Sequence, residues 1–195
     1  ADGMVLLIGG GSHTGKTLLA QRLVERLAFP CLSIDHLKMG LIRSGELPLT
    51  PQDDEALTRR LWPILREMSK TAVENRQNLI LEGCYIPFRW REGLEGRYLR
   101  EIRCGFLIFS QDYIRRCFPA ILAHARDIEN RLDDSDCTPE LLIRENAALL
   151  EGCRRWDVPY LLLDRRYPPD LAERFLRLVG LDPAGGQDPA SQDPH

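Results

Sequence analysis

Long apolar runs are missing from this 195-residue sequence. None approaches the roughly 20 residues that a membrane-spanning helix needs. No signal-peptide pattern opens the chain, and Met4 is expected to be the natural first residue, after Ala1-Asp2-Gly3. A basic excess is missing too: 26 Lys and Arg stand against 29 Asp and Glu, for a formal net charge of −3. A polyanion binder would carry a clustered cationic surplus, so neither nucleic acid nor a membrane is expected as a partner. The six cysteines (Cys31, Cys84, Cys104, Cys117, Cys137, Cys153) form no C-x-x-C pair. Their wide spacing excludes a disulfide framework or a zinc site and fits a reducing cytoplasm. Cys31, Cys84 and Cys104 lie in or beside apolar strand-like segments and are expected to be buried thiols.

What the chain has is a glycine-rich turn in one particular place. Gly10-Gly11-Ser12-His13-Thr14-Gly15-Lys16-Thr17 fits G-x-x-x-x-G-K-[ST] at every fixed position and follows the apolar run Met4 to Ile8. With glycine at about 7% of residues, such a match arises by chance in roughly one chain of this size in a hundred. The arrangement is that of a P-loop: a buried strand, a turn with inward-facing N–H groups, then a helix N-terminus. Phosphate oxygens are expected on residues 10–18 (Gly10, Gly11, Ser12, His13, Thr14, Gly15, Lys16, Thr17 and Leu18). Lys16 would reach the β- and γ-phosphates of ATP, and the Thr17 hydroxyl would ligate Mg²⁺.

Apolar strand-like runs alternate with helical patterns, which implies a parallel sheet covered by helices. The strands are expected at Met4–Ile8, Cys31–Ile34, Asn78–Leu81, Ile102–Phe109 and Tyr160–Asp164, each short enough to be buried on both faces. Helices are expected at Gly15–Leu27, from Thr50 (cap) and Pro51 onward with a kink at Pro63, at Gln111–Ala125, at Pro139–Arg155 with Thr138 as cap, and at Asp170–Val179. One domain over residues 1–181 is expected. It contains an insertion at 36–77 and a helical one at 110–158, and the Pro-, Gly- and Asp-rich tail 182–195 is expected to be disordered.

A P-loop at the start, five short strands, an insertion after the second and an Arg-bearing insertion after the fourth resemble the small P-loop kinases. That group includes adenylate, shikimate and gluconate kinases, chloramphenicol phosphotransferase and the zeta-toxin kinases; Ser33 to Lys38 looks like a bacterial branch of it. The resemblance implies an α/β, three-layer P-loop NTPase fold, with a five-stranded parallel sheet of order 2-3-1-4-5 and helices on both faces. It puts Asp35 and Glu82 at strand C-terminal ends, where open α/β sheets hold ligands. Asp35 becomes the candidate that orients or deprotonates an acceptor hydroxyl, its simpler reading being a helix cap. Glu82 becomes the second Mg²⁺ ligand, in an apolar-Glu-Gly pattern similar to that of the zeta-toxin kinases.

By the same resemblance, Arg126 and Arg131 are the lid candidates that would stabilise the transferring phosphoryl group, ahead of Arg115 and Arg116. Lys38, Arg43, Gly83, Tyr85 and Arg89 are candidates for the acceptor pocket, whereas Trp62 and Trp90 read as core. The implied activity is transfer of the γ-phosphoryl group of ATP, with Mg²⁺, to a small-molecule acceptor: a nucleotide, or a hydroxyl of a metabolite or antibiotic. The protein is expected to be a monomer or homodimer. Alternatives are an ATPase or GTPase switch, weakened by the absence of N-K-x-D and of D-x-x-G after the second strand, and a non-catalytic nucleotide-binding module.

Overall fold

Five apolar runs pair in parallel as one sheet: β1 (Val5–Gly10), β2 (Cys31–Ser33), β3 (Leu79–Glu82), β4 (Ile102–Phe109) and β5 (Tyr160–Leu163). Their order is β2-β3-β1-β4-β5, as expected. The computed structural model describes residues 3–128, 137–165 and 167–183, with 125–128 as backbone only. Seven helices occur among the described residues: α1 (Lys16–Leu27), α2 (Ile34–Arg43), α3 (Asp54–Glu74), α4 (Gly96–Leu99), α5 (Gln111–Ile128), α6 (Pro139–Arg155) and α7 (Leu171–Leu178). None of them is long and apolar enough to cross a membrane.

β1 is central because all six of its residues are buried, with neighbours on both edges. Val5 pairs with Leu79 of β3 and with Ile102 of β4, and Ile8 pairs with Glu82. Alternate residues divide between two cores, as strand periodicity requires. Val5, Leu7, Leu81, Phe106 and Ile108 pack on one face with Leu57, Leu61 and Leu65 of α3 and with Trp62 and Trp90. Leu6, Ile8, Ile80 and Leu107 pack on the other with Leu19 and Leu23 of α1 and with Leu171, Phe175 and Leu176 of α7. This fixes the strand ends, and with them every loop at the C-terminal edge.

Several local expectations are corrected. Thr50 does not cap α3: Asp53 is its N-cap residue, and the Asp53 carboxylate accepts hydrogen bonds from the Thr50 N–H and hydroxyl, both at 2.8 Å. The carboxylate thus closes a turn ahead of the helix. Pro63 lies inside α3, which runs unbroken for 21 residues and buries Leu57, Leu61, Leu65 and Ala72 on both sides of it. A break not expected from the sequence falls in α5, where Cys117 is non-helical two residues before Pro119, since a proline removes an N–H and crowds the turn before it. Asp35 is not a cap either, because α2 begins at Ile34 with Ser33 as N-cap residue. Cys31 and Cys84 are exposed rather than buried: β2 is an edge strand, and Cys84 lies in the loop beyond β3. Cys104 is buried as expected.

Candidate active site

The turn after β1 has the conformation that its glycines permit. Gly10 has φ 127°, and a Cβ there would lie 2.2 Å from the Leu107 carbonyl oxygen. Gly15, the residue before α1, is left-handed at φ 76°, and a Cβ there would enter the Tyr167 ring. Larger residues fit neither place. The Thr14 hydroxyl donates to the Gly11 carbonyl at 2.8 Å, and the buried Lys16 ammonium donates to the same oxygen at 2.5 Å. From behind, Tyr167 donates to the Thr14 carbonyl at 3.1 Å and also reaches that of Gly15. Burial raises the Tyr167 phenol far above its ordinary pKa, so it remains a donor. Leu18 is half-buried in the first turn of α1.

The two expected metal ligands meet. Thr17 Oγ1 donates to Glu82 Oε1 at 3.3 Å, and Glu82 is 4% exposed at the end of β3. One hydroxyl and one carboxylate oxygen, with the remaining positions left to water and phosphate, suit Mg²⁺, which keeps several waters and takes few protein ligands.

Beyond β2 and β3, three of the acceptor candidates form one cluster. Lys38, buried in α2, pairs with Asp35 Oδ1 at 2.5 Å and donates to the Tyr85 hydroxyl at 3.1 Å. Tyr85 in turn donates to Asp54 Oδ1 at 3.4 Å. Burial disfavours the Lys38 charge, but the hydrogen bonds to Asp35 and Tyr85 outweigh it and hold the ammonium above its ordinary pKa. Burial pushes the Tyr85 phenol up to about 12, against the pull of Lys38. Burial also raises the Asp54 carboxyl, with Tyr85 and Lys38 opposing. Gly83 turns against Ile34, leaving no room for a side chain. Cys84 is exposed, yet its thiol is raised chiefly by desolvation, with the adjacent Lys16 opposing.

Other candidates do not join the cluster. Arg43 is exposed in the last turn of α2. Arg89 pairs with Glu92 and lies over the Trp156 ring, 4.9 Å from its centroid. The Arg126 side chain and all of Arg131 lie outside the described residues. Arg115 and Arg144 line a cavity of about 660 Å³ between α5 and α6, together with Pro139, Glu140 and Ile143; none of these is a phosphate-loop residue.

Sequence reading missed Glu145. On α6, its carboxylate accepts from the Ser12 N–H and from the Ser12 hydroxyl, both at 3.1 Å. The next residue, Asn146, is 1% exposed; its side chain accepts from the Phe109 N–H at 2.9 Å and donates to the Leu142 carbonyl at 2.8 Å. Asn146 thus pins α6 to the end of β4. No motif announces either residue; only helical phase puts them toward the loop.

No protein-family model matches the chain, and no curated protein sequence matches it significantly. Solved structures do. A sugar kinase from Janibacter sp. HTCC2649 is 20% identical at a TM-score of 0.57, covering 95% of this chain and 99% of its own. A shikimate kinase from Bacteroides thetaiotaomicron is 17% identical at 0.55, covering 91% and 99%. A gluconokinase from Sinorhizobium meliloti 1021 is 17% identical at 0.54, covering 91% of each chain. The sheet order and the surrounding helices agree with those of these P-loop kinases, and the chain has their fold.

Proposed function

We propose that this protein transfers the γ-phosphoryl group of ATP to a hydroxyl of a small molecule. The observation that carries the reading is the Asp35–Lys38–Tyr85–Asp54 cluster, which adjoins the phosphate loop through Cys84 and Lys16. A nucleotide switch needs no such acceptor side. Thr17 and Glu82 would hold Mg²⁺, which supplies charge neutralisation at the phosphate oxygens. Lys16 moves from the Gly11 carbonyl to the β- and γ-phosphates. Asp35, held in place by Lys38, takes the proton of the acceptor hydroxyl as the new oxygen–phosphorus bond forms and the bond to the ADP oxygen breaks. Arg126 and Arg131 remain the proposed source of further positive charge at the transferring group.

An ATP-consumption screen over sugars, polyols, hydroxy acids, amino alcohols and nucleotides tests the reading. Lys16→Ala is expected to abolish transfer in a folded protein. Asp35→Asn is expected to lower kcat by about 10²–10⁴ with ATP affinity little changed. Hydrolysis at full rate without any acceptor would replace the kinase by a nucleotide switch. An unaltered kcat in Asp35→Asn would remove the base.

A further inference from the structure

We propose that Glu145 is a built-in competitor of the donor: its carboxylate holds the same Ser12 groups that a donor phosphate needs, so carboxylate and phosphate compete for the loop. The inference rests on the nucleotide reading above. Ser12 lies inside the phosphate loop and presents two donors in one direction, its N–H and its hydroxyl. Glu145 accepts one with each carboxylate oxygen, at 3.1 Å in both cases. A planar anion on two convergent donors imitates two oxygens of a phosphoryl group.

The mimicry extends beyond Ser12. A Cβ on Gly11 would lie 3.4 Å from Glu145 Oε1, so the carboxylate also covers the Gly11 backbone. The Lys16 ammonium sits on that residue's carbonyl at 2.5 Å. Cys84 feels both the Lys16 and the Glu145 charges, and Asp54 feels that of Glu145. Glu145 is thus held against the glycine-rich turn at both Gly11 and Ser12.

A carboxylate and a triphosphate cannot share these donors, because both are anionic acceptors. Phosphate entry must release Glu145. Asn146 anchors α6 to the Phe109 N–H, so release is a rotation of the Glu145 side chain with the helix held in place. A loop that is engaged most of the time binds phosphate more weakly in proportion to its released fraction. Glu145 thus sets donor affinity.

Calorimetric titration of the full chain with ATP–Mg²⁺ and with inorganic pyrophosphate tests this, using wild type, Glu145→Gln and Glu145→Ala, with each Tm recorded. Gln can still accept one hydrogen bond from Ser12 but carries no charge, so it separates competition from structural support. Both variants are expected to bind both probes about tenfold tighter. If Glu145 is only a tie that shapes the loop, Gln leaves affinity unchanged while Ala weakens binding and lowers Tm; that result overturns the proposal and leaves the kinase reading standing. If wild type and both variants fail to bind either probe, the nucleotide reading falls as well.

Discussion

Asp54 opens α3 at a cost to stability. Its carboxyl is raised by burial, with the Tyr85 hydroxyl and the Lys38 charge offsetting only part of that effect. A carboxyl raised in the folded state binds its proton more tightly there than in the unfolded chain. Its penalty is therefore absent in acid, below the unfolded value, and grows as pH rises through the folded one. Asp54→Asn avoids the charge and keeps an acceptor for Tyr85. It is expected to melt above wild type at pH 7, with the gain disappearing near pH 3; an offset that stays constant with pH would refute the account. Asp35, Lys38, Glu82 and Tyr85 were legible as candidates that would lie together because strand ends and the residues just beyond them converge on one edge of a parallel sheet. Asp54, Glu145 and Tyr167 were not, because helix phase and loop packing bring them in from residues far along the chain. Arg43 and Arg89 carried the right chemistry in the right segments, but their side chains turn to solvent and to Trp156.

At the scale of elements, local chemistry decided which expectations held. β4 and α6 have their expected bounds. An eight-residue strand that is apolar except for Arg103 and a Thr-Pro start leave little choice of phase, and Thr138 Oγ1 accepts from the Leu141 N–H at 3.2 Å. The start of α3 moved because Thr50 and Asp53 are both good caps, and the Asp53 carboxylate captured Thr50 rather than the reverse. The short α4 follows a tight turn and buries Tyr98, whose hydroxyl donates to Glu74 at 2.5 Å; no periodic pattern announces so brief a helix. Because α6 carries Glu145 and Asn146, its cap supports the glycine-rich turn after β1 indirectly. Thr138→Ala is expected to cost about 1 kcal/mol in urea unfolding. A variant as stable as wild type would mean that packing alone sets the start of α6.

The whole molecule depends on a sheet covered from both sides. Phe175 of α7 is fully buried, and its ring lies where a Cβ on Gly105 of β4 would fall, 2.7 Å away. Phe175→Ala is expected to cost roughly 3–5 kcal/mol and lower Tm by roughly 6–20 °C. A loss within a degree or two of wild type would show that this face repacks freely. The strand order bears on synthesis as well. β1 leaves the ribosome first, yet its edges are closed by Leu79 to Glu82 on one side and by Ile102 to Leu107 on the other. At about 5–20 residues per second, the strand that leads into the glycine-rich turn waits several seconds for its neighbours. During that interval its four consecutive core residues, Val5 to Ile8, are an apolar segment with two open edges, the kind of segment that pairs with other chains until its own partners arrive. The strand that ends in the glycine-rich turn is thus enclosed only by partners about 70 to 100 residues further along the chain.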